Sequence, residues 1–326
     1  MNIAIIGCGL IGEKRLSALG THQLLFAVDK DINKAKRLCD IKKQGIPSEN
    51  WVDVIKKPEL DMVIVATTND VLSEITIAAL NNNKHVLVEK PAGRNPDDIK
   101  QAVEAAKKSK AFAKAGFNHR FHPALLKAKE IISAGGIGEL MFIRGRYGHG
   151  GRKGYEKEWR FNKELSGGGE LLDQGVHLID LSRWMLNCEF NQISGHAGTY
   201  FWETELEDNG FLQLQTEKNQ MAWLHVSATE WKNMFNMEIY GKNGKLQIDG
   251  LGGSYGIERL SYYKMLPEMG PPETTIWEYP FPDNSWKLEF DYFIDCINKG
   301  LQPDGNLNDA EMALDIIYKI YDKDTK

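Results

Sequence analysis

The chain opens Met1-Asn2-Ile3-Ala4-Ile5-Ile6-Gly7-Cys8-Gly9-Leu10-Ile11-Gly12, and the next apolar run, Leu24-Leu25-Phe26-Ala27-Val28, ends on Asp29-Lys30. A run of strand length leads directly into G-x-G-x-x-G, and helical spacing over residues 10–19 follows it. In that setting the glycines let the backbone approach a pyrophosphate, which sits on the free N–H groups and positive dipole end of the helix. Asp29, at the end of the second strand, can accept hydrogen bonds from adenosine ribose hydroxyls and would repel a 2′-phosphate. Gly7, Gly9, Leu10, Ile11, Gly12, Asp29 and Lys30 are therefore the expected dinucleotide contacts. NAD is the expected cofactor, with NADP left open by the Lys30 ammonium next door.

Working outward, short apolar runs at 3–6, 24–28, 62–66, 85–88 and 112–115 alternate with helical patterns near 10–19, 33–39, 71–80 and 97–108. Such alternation implies crossover units and a parallel sheet buried on both faces. A short helix is expected over residues 51–55. Beyond residue 120 the pattern changes. Pro123 opens a helix that Gly135-Gly136 closes. Strands follow at 140–147, 191–201, 211–216, 221–229, 234–240, 245–248, 260–263 and 275–279, several alternating apolar with polar residues as in an antiparallel sheet with one covered face. Asn243-Gly244 marks a hairpin. Two helices, near 287–298 and 309–322, close the chain. The expected fold is α/β: a doubly wound Rossmann domain over 1–120, then an α+β domain with a large, mostly antiparallel sheet over 121–326.

Composition sets the outer limits. The 326 residues exceed one ordinary core, which agrees with two domains. A net charge of −5 argues against a nucleic-acid partner held by excess positive charge. No apolar run reaches the roughly 18 residues of a membrane span, and the first residues read as a strand rather than a signal peptide. Cys8, Cys39, Cys188 and Cys296 form no CxxC pair, as expected of free thiols in a reducing cytoplasm.

Two further stretches carry chemistry. Glu89-Lys90-Pro91 follows the strand at 85–88, at the carboxyl edge where such sheets bind ligands. A lysine there is ordinarily a solvated charge, but beside a nicotinamide its ammonium can bind a hydroxyl and stabilise alkoxide character. Gly167-Gly168-Gly169 precedes Asp173 and His177, which stand four residues apart and so share a helix face. The bland interpretation is a helix-surface contact. The chemical one is an imidazole that removes a carbinol proton beside a carboxylate that orients it.

Taken together, these segments resemble the glucose–fructose oxidoreductase/inositol dehydrogenase (Gfo/Idh/MocA) family, over nearly the whole chain and in order. Asn118-His119-Arg120-Phe121, Trp159-Arg160 and the closing Asp309-Ala310 helix add to the likeness. The resemblance implies NAD(P)-dependent oxidation of a sugar or polyol carbinol, or the reverse reduction. It implies that Lys90 is the catalytic lysine, His177 the proton-exchanging residue and Asp173 its relay and substrate partner. It also implies that Thr67, Thr68 and Asn69, with Glu89, Lys90 and Asn118, line the cofactor. The family commonly shows Thr-Pro-Asn and a nearby His in the first of these loops, where this chain has Thr67-Thr68-Asn69-Asp70 and no His.

The substrate is less legible. The stretch 144–160 holds four Arg and two Lys against two Glu. It reads either as a solvated loop or as a grip for an anionic sugar, such as a nucleotide sugar or uronic acid. Expected substrate contacts are Lys90, Arg120, Arg152, Trp159, Arg160, Asp173 and His177. His119, His122 and His177 could bind zinc, but no neighbouring Cys or second carboxylate completes a site, so no metal is expected. Aromatic residues of the second sheet suggest a face covered by another copy of the chain, as a dimer or tetramer. A non-catalytic sugar or dinucleotide sensor, or a reductase of a non-sugar carbonyl or imine, are the rival functions; retention of Lys90, Asp173 and His177 together favours the sugar enzyme.

Overall fold

The early apolar runs become parallel strands of one six-stranded sheet in the computed structural model, which describes residues 1–268 and 270–324. The strands are β1 (Asn2–Ile6), β2 (Gln23–Val28), β3 (Ile46–Ser48), β4 (Met62–Val65), β5 (His85–Val88) and β6 (Ala113–Ala115), in the order β3-β2-β1-β4-β5-β6. Helices α1 (Leu10–Ala18), α2 (Ile32–Lys42), α3 (Trp51–Ile55), α4 (Asn69–Asn81) and α5 (Pro96–Lys108) connect them. Local chemistry sets several of their ends. Asp31 caps α2, Asn50 caps α3, and Asn95 caps α5 with Pro96 in the first helical turn. The strand β3 has no counterpart among the sequence expectations. It is three residues long, contains Pro47 and lies at the sheet edge, where a missing N–H costs no ladder bond.

The second sheet has eight strands: β7 (Leu140–Gly148), β8 (Phe190–Gly198), β9 (Asn209–Thr216), β10 (Met221–Ser227), β11 (Met234–Gly241), β12 (Gly244–Asp249), β13 (Glu258–Lys264) and β14 (Glu273–Tyr279). Their order is β14-β13-β12-β11-β7-β10-β9-β8. Among the described residues of this sheet, only β7 and β10 pair in parallel. The hairpin at Asn243-Gly244 forms with Gly244 already in β12, opposite Gly241. Helices α6 (Pro123–Ser133), α7 (Lys163–Ser166), α8 (Val176–Leu186), α9 (Ser285–Lys299) and α10 (Leu307–Asp324) complete the order. Side chains alternate across the sheet as the sequence pattern requires. On β7, Ile143, Gly145 and Tyr147 are buried, with Gly145 against Leu178 of α8, while Arg144 and Arg146 face outward. The outward face carries the exposed Trp223 and Phe211, the latter stacked on His225 at 4.4 Å.

The chain forms two compact units. The first comprises residues 1–117, 164–167 and 286–314, and the second residues 118–163, 168–285 and 315–326. Residues 164–167 and 286–314 thus group with the first 117 residues rather than with the second unit. The physical reason lies in α9: Phe290 and Phe293 are fully buried in one cluster with Ile3, Ile5, Leu38 and Met62. Among the described residues no helix is long and apolar enough to cross a membrane.

Candidate active site

In the first unit the candidate residues follow the carboxyl ends of β1, β2, β4 and β5, on both sides of the point where strand order reverses between β1 and β4. Gly7 adopts φ +96°, and its N–H donates to Val28 O at 2.8 Å. A Cβ there would lie 2.3 Å from Ala66 O, and one on Gly12 would lie 2.1 Å from Gly7 O, so both positions need glycine for the turn itself. Gly9 differs: nothing stands within 4 Å of where its Cβ would be. Its open side is at the start of α1, beside the 70 % exposed Leu10, and Ile11 is half-buried. This is the shape of a pyrophosphate cradle, and its open side suits NAD.

Asp29 is half-buried and braces the same turn. Its Oδ2 accepts from Cys8 N–H at 2.8 Å, and Oδ1 accepts from Asp31 N–H at 2.9 Å. Lys30 beside it is exposed. Burial, reinforced by the Asp29 charge, lifts the Cys8 thiol to about 12, so it stays protonated and takes no nucleophilic part. After β4, Thr67 donates to Thr68 O at 3.1 Å, and Thr68 donates to Asp70 Oδ1 at 2.5 Å across the first turn of α4. Asn69 is buried, its amide donating to Ser166 O at 2.9 Å. The Thr-for-Pro departure therefore still yields an ordered loop, closed by its own hydroxyl bond.

After β5, Glu89 is buried and Lys90 half-buried. Glu89 Oε1 accepts from Arg15 Nε at 2.6 Å. Arg15 Nη1 donates to Glu289 Oε2 of α9 at 2.6 Å, and Lys114 Nζ stands 3.2 Å from Glu289 Oε1. Two cations and two carboxylates thus close a buried network behind the residue next to Lys90. Burial raises the Glu89 carboxyl above the usual range, against the pull of Arg15.

In the second unit, a π-helical turn, Leu171–Gly175, runs into α8 and carries Asp173, with His177 in the first turn of α8. Insertions of this kind recur at functional sites. Its start is held by Glu207, whose Oε1 accepts from Gly169 N–H at 3.0 Å, Leu171 N–H at 3.1 Å and Tyr321 OH at 2.5 Å. His177 is 4 % exposed, and its ring stacks on His119 at 3.7 Å between centroids and 16° between planes. His119 in turn contacts Asn118 Oδ1 and Tyr147 OH, each at 3.1 Å. His122 pairs with Glu258 at 3.0 Å. The three histidines do cluster, yet among the described residues no set of His, Cys, Asp or Glu is arranged to hold a metal ion.

The candidate substrate arginines, Arg120, Arg152 and Arg160, each pair with a carboxylate. Arg120 makes a two-pronged pair with Asp180 at 2.8 and 2.5 Å, both groups buried, which places its guanidinium in the protein interior. Arg160 Nε reaches Asp173 Oδ2 at 3.2 Å, and its guanidinium lies 4.9 Å from the half-buried Trp159 ring. Arg152 pairs with Glu158, which also stands 3.7 Å from Arg160. Arg144 pairs with Glu238 at 2.8 Å on the outward sheet face. Within the same stretch, His149 lies 3.6 Å from Glu170; burial alone would depress it, but that carboxylate prevails and raises its pKa above 6.5. Glu207, Tyr321, Tyr147 and the His119 stack have no local signal in the sequence, because each partner comes from a distant strand or helix.

Residues 1–117 match the family model described as an oxidoreductase family with an NAD-binding Rossmann fold, and residues 125–247 match the GFO/IDH/MocA C-terminal domain. Among curated relatives, levoglucosan dehydrogenase of Pseudarthrobacter phenanthrenivorans is 30 % identical over 64 % of this chain and 57 % of its own length. The NAD(+)-dependent scyllo-inositol 2-dehydrogenase of Bacillus subtilis is 25 % identical over 96 % of this chain and 91 % of its own. Among solved structures, a levoglucosan dehydrogenase in complex with NADH and levoglucosan superposes with a TM-score of 0.90 at 20 % identity, covering 100 % of this chain and 97 % of the other. The fold is shared throughout.

Proposed function

Because the chain belongs to the Gfo/Idh/MocA oxidoreductase family, we propose that it interconverts a carbinol and a carbonyl carbon of a sugar or polyol, using NAD. The strongest support is the first unit's geometry, where the open-sided cradle at Gly9, the Asp29 carboxylate and Lys90 all follow strand carboxyl ends around one switch point. Bound NAD supplies the hydride acceptor. The turn at Gly7, Gly9, Leu10, Ile11 and Gly12 binds its pyrophosphate, and Asp29 takes the ribose hydroxyls. Thr67, Thr68, Asn69 and Glu89 shape the loops beside it. Lys90 binds the substrate oxygen and stabilises its alkoxide character as the proton leaves. His177 receives that proton in oxidation and returns it in reduction, and Asp173 binds a neighbouring hydroxyl.

The charge balance favours a neutral polyhydroxyl ring: Arg152 and Arg160 are offset by Glu158 and Asp173, and Arg120 by Asp180. The names of the relatives, levoglucosan and inositol dehydrogenases, support the same choice. An anionic sugar is the second possibility, because the Arg152 side chain is 71 % exposed and free to swing toward a carboxylate or phosphate. Steady-state NADH formation with inositols, neutral aldoses, uronic acids and nucleotide sugars decides between them. Neutral substrates should give the higher kcat/KM, and Arg152→Ala should leave them unchanged. Turnover of only charged sugars, lost selectively in Arg152→Ala, would establish the anionic alternative, and absence of hydride transfer to any of them would refute the enzyme. The exposed Trp223 and the Phe211–His225 stack on the outward sheet face favour a homo-oligomer, which light scattering of the purified chain tests.

A further inference from the structure

Hydrogen-bond direction in the second unit can be traced from one acceptor-only group to the ring stacked on His177. Asp283 is a carboxylate and can only accept, so the Ser285 hydroxyl donates to its Oδ1 at 2.6 Å. Ser285 Oγ is then the acceptor for Asn118 Nδ2–H at 2.9 Å. That fixes the amide orientation: a flipped Asn118 would set its oxygen against a hydroxyl oxygen whose proton is already committed. Asn118 Oδ1 consequently faces His119 Nδ1 at 3.1 Å and accepts a hydrogen bond from its N–H. The opposite ring nitrogen, Nε2, stands 3.1 Å from Tyr147 OH. Burial pushes that phenol well above its usual range, so it stays protonated and can donate to a bare Nε2. The Tyr255 ring packs against Tyr147 at 5.1 Å between centroids. The whole chain, from Asp283 to Tyr147, is satisfied when His119 is neutral with its proton on Nδ1.

The second imidazole of the pair is His177, stacked at 3.7 Å and nearly parallel. Two imidazolium ions at that separation in a buried site would repel strongly, so at most one of the rings carries charge. Other groups near the pair include His122, edge-on to His119 at 5.6 Å, paired with Glu258 and 4.0 Å from Asp283; Phe235, which contributes an uncharged edge; and Asp173, which carries Arg160 one turn before His177. We propose that His119 is a positioning residue: the chain anchored on Asp283 holds it as the neutral Nδ1–H tautomer, which assigns the exchanged proton to His177 and fixes the plane of its ring. This rests on His177 as the proton-exchanging group. It gives Asn118 a role its motif did not suggest, as the link that orients His119.

The test is heteronuclear NMR of the full chain labelled with ring-15N histidine, with His119→Phe and His177→Asn used to assign the two signals. His119 should show a protonated Nδ1 and a bare Nε2, unchanged between about pH 5.5 and 8.5, and any proton the pair gains over that range should appear on His177. Ser285→Ala, which removes the link to Asp283, should give mixed His119 tautomers. It should lower kcat by about threefold to tenfold with KM for NAD altered by less than about twofold. A proton on His119 Nε2, a His119 that gains charge before His177, or a Ser285→Ala protein with wild-type tautomer and kcat would each overturn the proposal. Failure of the underlying assignment looks different: His177→Asn would keep near-normal turnover, whatever tautomer His119 adopts.

Discussion

Replacing Glu289 should be the most damaging single change in the first unit, although the residue lies 199 positions from Lys90 in sequence. Its carboxylate is fully buried and faces two cations that are also fully buried, Arg15 at 2.6 Å and Lys114 at 3.2 Å. With Glu89 the network balances two positive against two negative charges. Glu289→Ala strips one negative charge from a site that water cannot enter, and an uncompensated buried charge of this kind costs about 3–5 kcal/mol. For a unit of this size each kcal/mol moves the midpoint by about 2–4 °C, so a fall of about 10 °C is expected by scanning calorimetry. Activity should fall with it, because Glu89 leads directly into Lys90. The compensating variant separates charge from packing. Lys114→Met with Glu289→Met leaves the Arg15–Glu89 pair balanced, so the double variant should melt above Glu289→Ala and lose less than the two single changes combined. A midpoint shift below about 2 °C in Glu289→Ala, or strict additivity in the pair, would refute the charge-balance argument.

Other consequences are equally direct. Gly9→Ala should fold with an unchanged melting temperature but raise KM for NAD at least about tenfold, since its methyl occupies the open cradle; Gly12→Ala, whose methyl meets the Gly7 carbonyl, should destabilise by about 1–3 kcal/mol. Unchanged NAD kinetics in Gly9→Ala would remove the pyrophosphate from that turn. Asp29→Ser should narrow the preference for NAD over NADP by about tenfold or more, as competing kcat/KM values would show. His149 has a folded-state pKa raised above 6.5 by Glu170, so its stabilising contribution is present below pH 6.5 and is lost as pH rises through the folded value. Wild type should therefore lose more stability than His149→Gln between about pH 6 and 8.5, and parallel stability curves would contradict that assignment.

The first sheet was legible because its cues are local. A buried parallel strand is a continuous apolar run, and the turn after β1 needs glycine where Gly7 and Gly12 would otherwise strike backbone. The strand β3 escaped because three edge residues with a proline carry no period. In the second unit the alternation on β7 and β9 revealed the strands. The surroundings of Asp173 and His177 were hidden, because the His119 ring stacked on His177, the Tyr147 hydroxyl bonded to His119, and Glu207, which holds the backbone just before Asp173, all arrive through tertiary packing. Arg120 shows the converse: a motif arginine reads as a ligand for substrate, while its partner Asp180 lies on α8, 60 residues further along the chain. Charge counting over 144–160 likewise could not show that Glu158 is shared by Arg152 and Arg160.

The division of labour between Lys90 and His177 is best measured by following NADH formation from a carbinol-deuterated polyol in the wild type, Lys90→Met and His177→Asn. Both variants should bind NADH normally, lose about 10²–10⁴ in turnover, and show a fuller deuterium isotope effect than wild type as hydride transfer becomes limiting. Variants that turn over the true substrate at near wild-type rate, with an unchanged isotope effect, would contradict the assignment of both residues.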